Sequence, residues 1–414
     1  MHKKDSIILA LFMFLYFCAW LLVLPFLLFI KRLKPVCRQR FGLGMPSGPF
    51  DLWIHAASVG EAKLVLKFLE DLPRHNCPEI IISVNTLQGM KTLKDNIQDR
   101  AKLVFFPFDI YPVWAIALSK IRPRKILLLE TEIWPALLFY CKIKSYPVTI
   151  GNARMSLKSF CRYYPLSTLL NQISPGKILA VSQRDQKRFA WIFKDSSRHR
   201  MPNIKFDIIK DIKPLPYVKN PLSAYFKAGQ SIIVLGSVRE EEELHIQWLI
   251  SRISDDHPRT TIALFPRHTH RIQAWENFLE NNNKSWIKRS KLEPGASLPS
   301  IIIWDKFGEL LPAYALARSV FVGGSLAPCG GQNFLEPLSQ GVVPCVGPFW
   351  ENFHWVGKEI MSRNLLHQVG DKYELYSSLV KPPTVGRDKV IADFHNYVNN
   401  KSGGTARLIN NLKC

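Results

Sequence analysis

The chain lacks the short motifs that would fix a nucleotide or metal chemistry outright. It contains neither the G-x-x-x-x-G-K-[ST] phosphate loop nor the G-x-G-x-x-G dinucleotide fingerprint, which disfavours simple P-loop and dinucleotide chemistry. Its eight cysteines (Cys18, Cys37, Cys77, Cys141, Cys161, Cys329, Cys345 and Cys414) are scattered. No C-x-x-C pair and no Cys/His cluster offers a zinc site, so reduced thiols are expected, with neither disulfides nor metal. Repeats of solenoid period, low-complexity tracts, RNA-binding aromatic signatures and Arg-rich tails are also missing. Acidic residues are scarce: 33 Asp and Glu stand against 55 Lys and Arg, a net charge of +22. Such an excess suits an anionic partner, and without a nucleic-acid motif a phospholipid surface or phosphorylated substrate is the better fit.

The most conspicuous feature present is an uncharged apolar run from Ile7 to Ile30. As a helix, ~24 residues reach ~36 Å, enough to cross a ~30 Å hydrocarbon core with tilt. Lys31, Arg32, Lys34, Arg38 and Arg40 follow it, while His2, Lys3 and Lys4 precede it with Asp5 opposing. The heavier positive flank places the main body on the cytoplasmic side. A cleaved signal peptide would need a shorter apolar region and a small-residue cleavage site, which this segment does not offer. A mean hydropathy of −0.01 argues against a polytopic membrane protein.

Beyond residue 50 the chain alternates short apolar runs with helical spacing. Runs at 51–57, 79–85, 102–108, 125–130, 147–152 and 177–182 are expected as buried parallel strands. A segment with three prolines, 211–224, reads as a linker. The rhythm restarts at 231–237, 260–266, 300–305, 319–325 and 342–348. The expected class is α/β, with two Rossmann-like doubly wound domains facing a cleft. The expected divisions are a membrane anchor and basic flank over 1–40, a first domain over 41–212 and a second over 213–414.

Several segments can carry chemistry. In HAASVGEAKL a strand runs through Ser58 and Gly60 into a helix with Glu61 in its first turn. Glu61 is either a general base or a helix-start glutamate complementing the dipole. LLLETEIWP sets Glu130 and Glu132 at the end of an apolar strand, for substrate or for a structural ion pair. FVGGSLAPCGGQNFLEP offers Gly323, Gly324, Ser325, Gly330 and Gly331, then a helix expected to start near Gln332–Asn333, with Glu336 one turn in. Such a loop lets a backbone approach a phosphate closely. PRH places Arg267 and His268 at a strand end, and WDKFGEL does the same for Asp305 and Glu309. Ser237 ends the strand before REEEE (239–243), and most of that glutamate run is expected to be a solvated helix N-terminus.

HAASVGE, LLLETEIWP, GNARMS, PNIKFD, PRH, DKFGEL, FVGGSL, GGQNFLEP and GPFWENF stand in the order and spacing of the 3-deoxy-D-manno-octulosonic acid (Kdo) transferases, which the chain resembles over nearly its whole length. The resemblance implies a GT-B fold, CMP-Kdo as donor, a phosphorylated lipid A precursor as acceptor, and inversion without a metal or other cofactor. It implies an enzyme of lipopolysaccharide biosynthesis at the cell inner membrane, with an anionic membrane surface and no nucleic acid as partner. It makes Glu61 the general base. Arg267, Glu309, Gly324, Ser325, Asn333 and Glu336 become donor-side residues, and Glu130, Glu132 and Lys205 match further positions of the pattern. The family's usual S-T-H, G-G-H-N and methionine before G-E-L read Ser237-Val238-Arg239, Gly330-Gly331-Gln332-Asn333 and Phe307 here. From the residues alone, a transferase of another nucleotide sugar and a non-catalytic anionic-lipid-binding protein remain alternatives.

Overall fold

The computed structural model describes residues 3–29, 34–73 and 78–412; His2, Ile30, Lys31, Arg32, Cys77 and Cys414, named above, lie outside the described residues. The chain forms two compact units, Met1–Ile208 with Lys401–Cys414, and Ile209–Asn400.

The first unit is built on a seven-stranded sheet: β1 (Phe50–Ala56), β2 (Ile80–Val84), β3 (Lys102–Phe105), β4 (Pro123–Leu129), β5 (Val148–Ala153), β6 (Lys177–Ala180) and β7 (Ser197–Arg200). Every pairing is parallel, in the order β3-β2-β1-β4-β5-β6-β7. β2 is buried at all five positions, as a strand covered on both faces must be, and this explains the unbroken Ile-Ile-Ile-Ser-Val run. Of its helices, those that bear on the site are α1 (Lys3–Leu28), α2 (Val59–Asp71), α3 (Tyr111–Ile121), α4 (Pro135–Ile143) and α5 (Ile204–Lys210).

The second unit repeats the plan with β8 (Ile232–Val238), β9 (Thr261–Pro266), β10 (Trp286–Lys288), β11 (Ile301–Ile303), β12 (Ser319–Val322), β13 (Pro344–Val346) and β14 (His367–Gln368). These pair in parallel in the order β10-β11-β9-β8-β12-β13-β14. Helices α6 (Glu243–Asp256), α7 (Leu310–Leu316) and α8 (Leu335–Ser339) flank its loops.

The chain then returns. Helix α9 (Gly404–Leu412) packs on the first unit, burying Leu408 and Leu412 against Leu127, Leu129 and Leu179. The expected division assigns residues 401–414 to the second domain, whereas they join the first unit. What draws them back is the apolar face of β4 and β5, which needs a cover. Asp207 fixes the return by accepting the N–H of Gly403 and Thr405 at 2.6 Å and the Thr405 hydroxyl at 2.8 Å. Gly404 lies so close to Pro202 that a Cβ would stand 2.4 Å from its carbonyl oxygen.

α1 is apolar all round, and one side of it is occupied. Leu9 and Met13 join the core, and Phe17, Trp20, Leu24 and Leu27 pack on Phe108, Ile110 and Val113. The Tyr16 hydroxyl donates to Asp109 at 2.9 Å. Ile7, Phe14, Leu22 and Phe26 are exposed by 66%, 61%, 74% and 75%, apolar surface that water would not favour.

Candidate active site

In the first sheet the strand order reverses between β1 and β4, which pair directly. In open α/β sheets, ligands bind outside the carboxyl ends of strands at such a point. Both segments leaving β1 and β4 carry carboxylates there. Ser58 caps α2, its hydroxyl oxygen accepting the Glu61 N–H at 3.2 Å. Glu61 answers with its side chain: Oε2 accepts the Ala57 N–H at 2.6 Å and Oε1 the Ser58 hydroxyl at 3.1 Å. This is the reciprocal logic of a capping box, and it orients the carboxylate. Glu61 is 8% exposed. Burial first, then the charges of Glu132 and Glu130, push its pKa up to about 7, against the pull of the Ala57 and Ser58 donors.

Glu130 follows β4 in the left-handed region (φ 58°), a strained conformation for a residue with a Cβ. Its Oε1 meets Lys205 Nζ on α5 at 2.6 Å. Glu132 accepts from Trp134 Nε1 at 2.8 Å and faces His55 Nε2 at 3.5 Å. His55 Nδ1 lies 3.1 Å from both the carbonyl and hydroxyl oxygens of Ser83, and its ring stacks on Phe106. Burial keeps the His55 pKa below its ordinary value. The fold brings Glu61, Glu130, Glu132 and Lys205, all singled out from the sequence, to one end of one sheet. It also brings in two residues that sequence reasoning passed over. His55 had one signal, an imidazole directly after the apolar Leu52-Trp53-Ile54. Asp109 had another, a lone acid directly after KLVFFPF. Asp109 accepts from Trp114 Nε1, the N–H groups of Ala136 and Leu137, and Tyr16, so it caps α4 and ties α1 to it. Of the basic residues that favour an anionic partner, Lys142, Lys144, Lys158, Arg162, Arg184 and Lys187 are exposed. Arg188 is half-buried and donates to the Met155 carbonyl.

In the second sheet the corresponding reversal lies between β8 and β12. Ser237 sits there with φ 58°. Gly323 faces it so closely that a Cβ would stand 2.5 Å from Glu242 Oε1 and 2.6 Å from the Ser237 carbonyl oxygen. The expectation that the glutamate run is mostly a solvated helix start fails at two positions. Glu242 is fully buried and accepts four N–H groups: Arg239 (2.9 Å), Gly324 (2.6 Å), Ser325 (3.2 Å) and Leu326 (3.2 Å). Glu243 is buried and paired with Arg271 at 2.5 Å. A loop of consecutive amides needs an anion, and this one takes it from its own chain.

That arrangement changes what the loop offers a ligand. The amides of Gly324 and Ser325 are occupied. The Ser325 hydroxyl is buried, donating to the Val322 carbonyl at 2.7 Å and accepting the Gly347 N–H at 2.9 Å. The following helix starts later than expected, with α8 beginning at Leu335; ahead of it Asn333 Oδ1 accepts the Leu335 N–H at 3.2 Å and Nδ2 donates to Glu336 at 2.8 Å. Glu309 lies at the start of α7, where Trp304 Nε1 (2.8 Å) and Arg289 Nε (3.0 Å) hold it. Arg267 is different. It follows β9, is exposed, and has no side-chain partner among the described residues, so its guanidinium is available to an anion.

Two doubly wound parallel sheets of this kind define a GT-B glycosyltransferase fold. A glycosyltransferase structure from Rickettsia africae ESF-5 superposes with a TM-score of 0.57 over 88% of this chain and 98% of its own, at 12% identity. Sequence narrows the class. Residues 36–208 match the family described as 3-deoxy-D-manno-octulosonic-acid transferase (kdotransferase). A 3-deoxy-D-manno-octulosonic acid transferase of Haemophilus influenzae is 28% identical over 346 residues, 80% of either chain. A bifunctional glycosyltransferase/methyltransferase of Fusobacterium nucleatum is 30% identical over 343 residues; the match spans 79% of this chain and 52% of that relative, about half its length.

Proposed function

We propose that this protein transfers Kdo from CMP-Kdo to a phosphorylated lipid A precursor, with inversion, as a step of lipopolysaccharide biosynthesis. The observation that carries the reading is the Glu61 carboxylate, fixed by two donors at the switch point of the first sheet with a pKa near 7. A base poised there is partly ionised at neutral pH and still holds a proton firmly once it has taken one. Glu61 accepts the proton of an acceptor hydroxyl. That oxygen forms a bond to the anomeric C2 of Kdo as the C2–O bond to the CMP phosphate breaks. Arg267 meets the departing phosphate. Gly324, Asn333 and Glu336 shape the donor side, with Glu309 held beside α7 as a positioning group. Glu132, braced by Trp134 and His55, and Glu130, braced by Lys205, raise the proton affinity of Glu61 by their charge.

The exposed apolar sides of α1 support an anchor in the inner membrane. The exposed lysines and arginines of the first unit support attraction of an anionic leaflet from the cytoplasmic side. The domain division proposed is an anchor, an acceptor-binding unit and a donor-binding unit, with the last turns of the chain in the acceptor-binding one. The reading includes transfer without a metal ion, so a rate that survives EDTA supports it and one that collapses contradicts it.

The test is incubation with CMP-Kdo and a tetraacylated lipid A precursor, followed by mass spectrometry. A product heavier by one or more Kdo residues is expected, and the mass counts them. Transfer from UDP-sugars and none from CMP-Kdo would overturn the reading.

A further inference from the structure

A cavity of about 270 Å³ lies between α1 and the start of helices α3 and α4, all within the first unit. Met13, Tyr16 and Phe17 line it from α1, and Ile110, Ala136 and Phe139 from the opposite side. Its lining is almost wholly apolar. Tyr111 also lines it, while the Tyr16 hydroxyl and the Ala136 N–H both donate to Asp109, which also accepts from Trp114 and Leu137. A cavity so nearly apolar does not hold water well and favours a hydrocarbon. Phe14, also part of its lining, is 61% exposed among the apolar residues of α1, so the cavity opens on the helix's lipid-compatible side.

Position supplies the second argument. Helix α4 begins at Pro135, one residue after Trp134, whose indole holds Glu132. Glu132 is one of the charges that raise the Glu61 pKa. The same short segment therefore forms one edge of the carboxylate cluster and one wall of the cavity. A glycolipid whose sugar lies at Glu61 has its hydrophobic part beside α4.

We propose that this cavity binds one acyl chain of the acceptor glycolipid, so that α1 is a wall of the acceptor site as well as an anchor. The proposal rests on the acceptor assigned under the proposed function. Asp109 acts here as a positioning residue, locking α1 to α4 so that the cavity keeps its walls.

The experiment compares the acylated acceptor with its deacylated, phosphorylated sugar backbone, in nonionic detergent with CMP-Kdo. The wild-type full chain is set beside a variant carrying Phe14→Ser and Phe139→Ser. With wild type, KM for the acylated acceptor is expected to be lower by at least about tenfold, since each buried methylene adds to binding. The double variant is expected to shrink that ratio to within about twofold while kcat on the acylated acceptor holds. An acceptor with a diazirine at the end of its acyl chain gives an independent readout, with crosslinks expected in peptides 7–28 and 135–143. An unchanged KM ratio in the variant, or crosslinks only elsewhere, overturns the acyl site and leaves the transferase reading intact. Transfer to neither acceptor overturns the transferase reading itself.

Discussion

The two units place a glutamate at equivalent points of equivalent sheets and use it in opposite ways. Glu242, beside the reversal of the second sheet, accepts four backbone N–H groups and is fully buried. A carboxylate has about four lone-pair sites, so nothing is left for a substrate. Glu61, beside the reversal of the first sheet, accepts two donors, retains a sliver of exposure and has Glu132 and Glu130 for neighbours. Its remaining lone pairs can take a proton. Residue type and topological position are shared; the number of donors, and the acidic neighbours that Glu61 has, set the two apart.

Changing each glutamate tests that division. The largest effect is expected from Glu61→Gln, which keeps shape and capping but cannot accept a proton: kcat for Kdo transfer should fall by about 10²- to 10⁴-fold with the fold intact by circular dichroism. Near-normal transfer by a folded Gln variant would remove Glu61 from the mechanism. Glu242→Ala strands four amides, and each buried one costs roughly 1–3 kcal/mol. It should destabilise the protein by more than about 3 kcal/mol in urea unfolding and abolish protection of the second unit by CMP. A loss under 1 kcal/mol would mean the loop does not depend on its internal anion.

Next in size is a stability effect of opposite sign. The folded pKa of Glu61, about 7, lies above its ordinary 4.5, so the native state binds the proton more tightly than the unfolded chain across that interval. This group's contribution to stability therefore declines as pH rises from 4.5 to 7. Glu61→Gln should be more stable than wild type at pH 8 by about 2–3 kcal/mol and show little difference at pH 4. A Tm difference that ignores pH would contradict the assigned shift. The smallest effect belongs to Glu130 and Lys205. Their contact is short but partly open to solvent, so a double-mutant cycle with Glu130→Gln and Lys205→Met should give a coupling of about 1 kcal/mol. A coupling near zero would make Lys205 a substrate-facing cation instead of a brace.

Much of this was legible in the sequence because burial leaves a pattern. β1, β2, β4, β8 and β9 are covered on both faces, and their apolar runs announced them. β7 (Ser-Arg-His-Arg), the three-residue β10 and the two-residue β14 did not announce themselves, since edge strands are short and polar. The glycine loop was visible, but its occupant was not. Glu242 reaches it from some eighty positions earlier in the chain, and a run of four glutamates looks the same whether it meets water or amides. Asp109 escaped for the same reason: its donors come from α1, α3 and α4, and only folding brings them together. Glu61 was legible as a residue but not as a base, because its proton affinity comes from burial and from two acids about seventy positions away.

That proton affinity is the centre of the account, and the pH dependence of Kdo transfer tests it directly. With saturating CMP-Kdo and acceptor, kcat should fall on the acid side with an apparent pKa near 7, as protonation removes the base. Glu61→Gln should lack that limb. A wild-type rate that stays flat down to pH 5 would contradict the assignment.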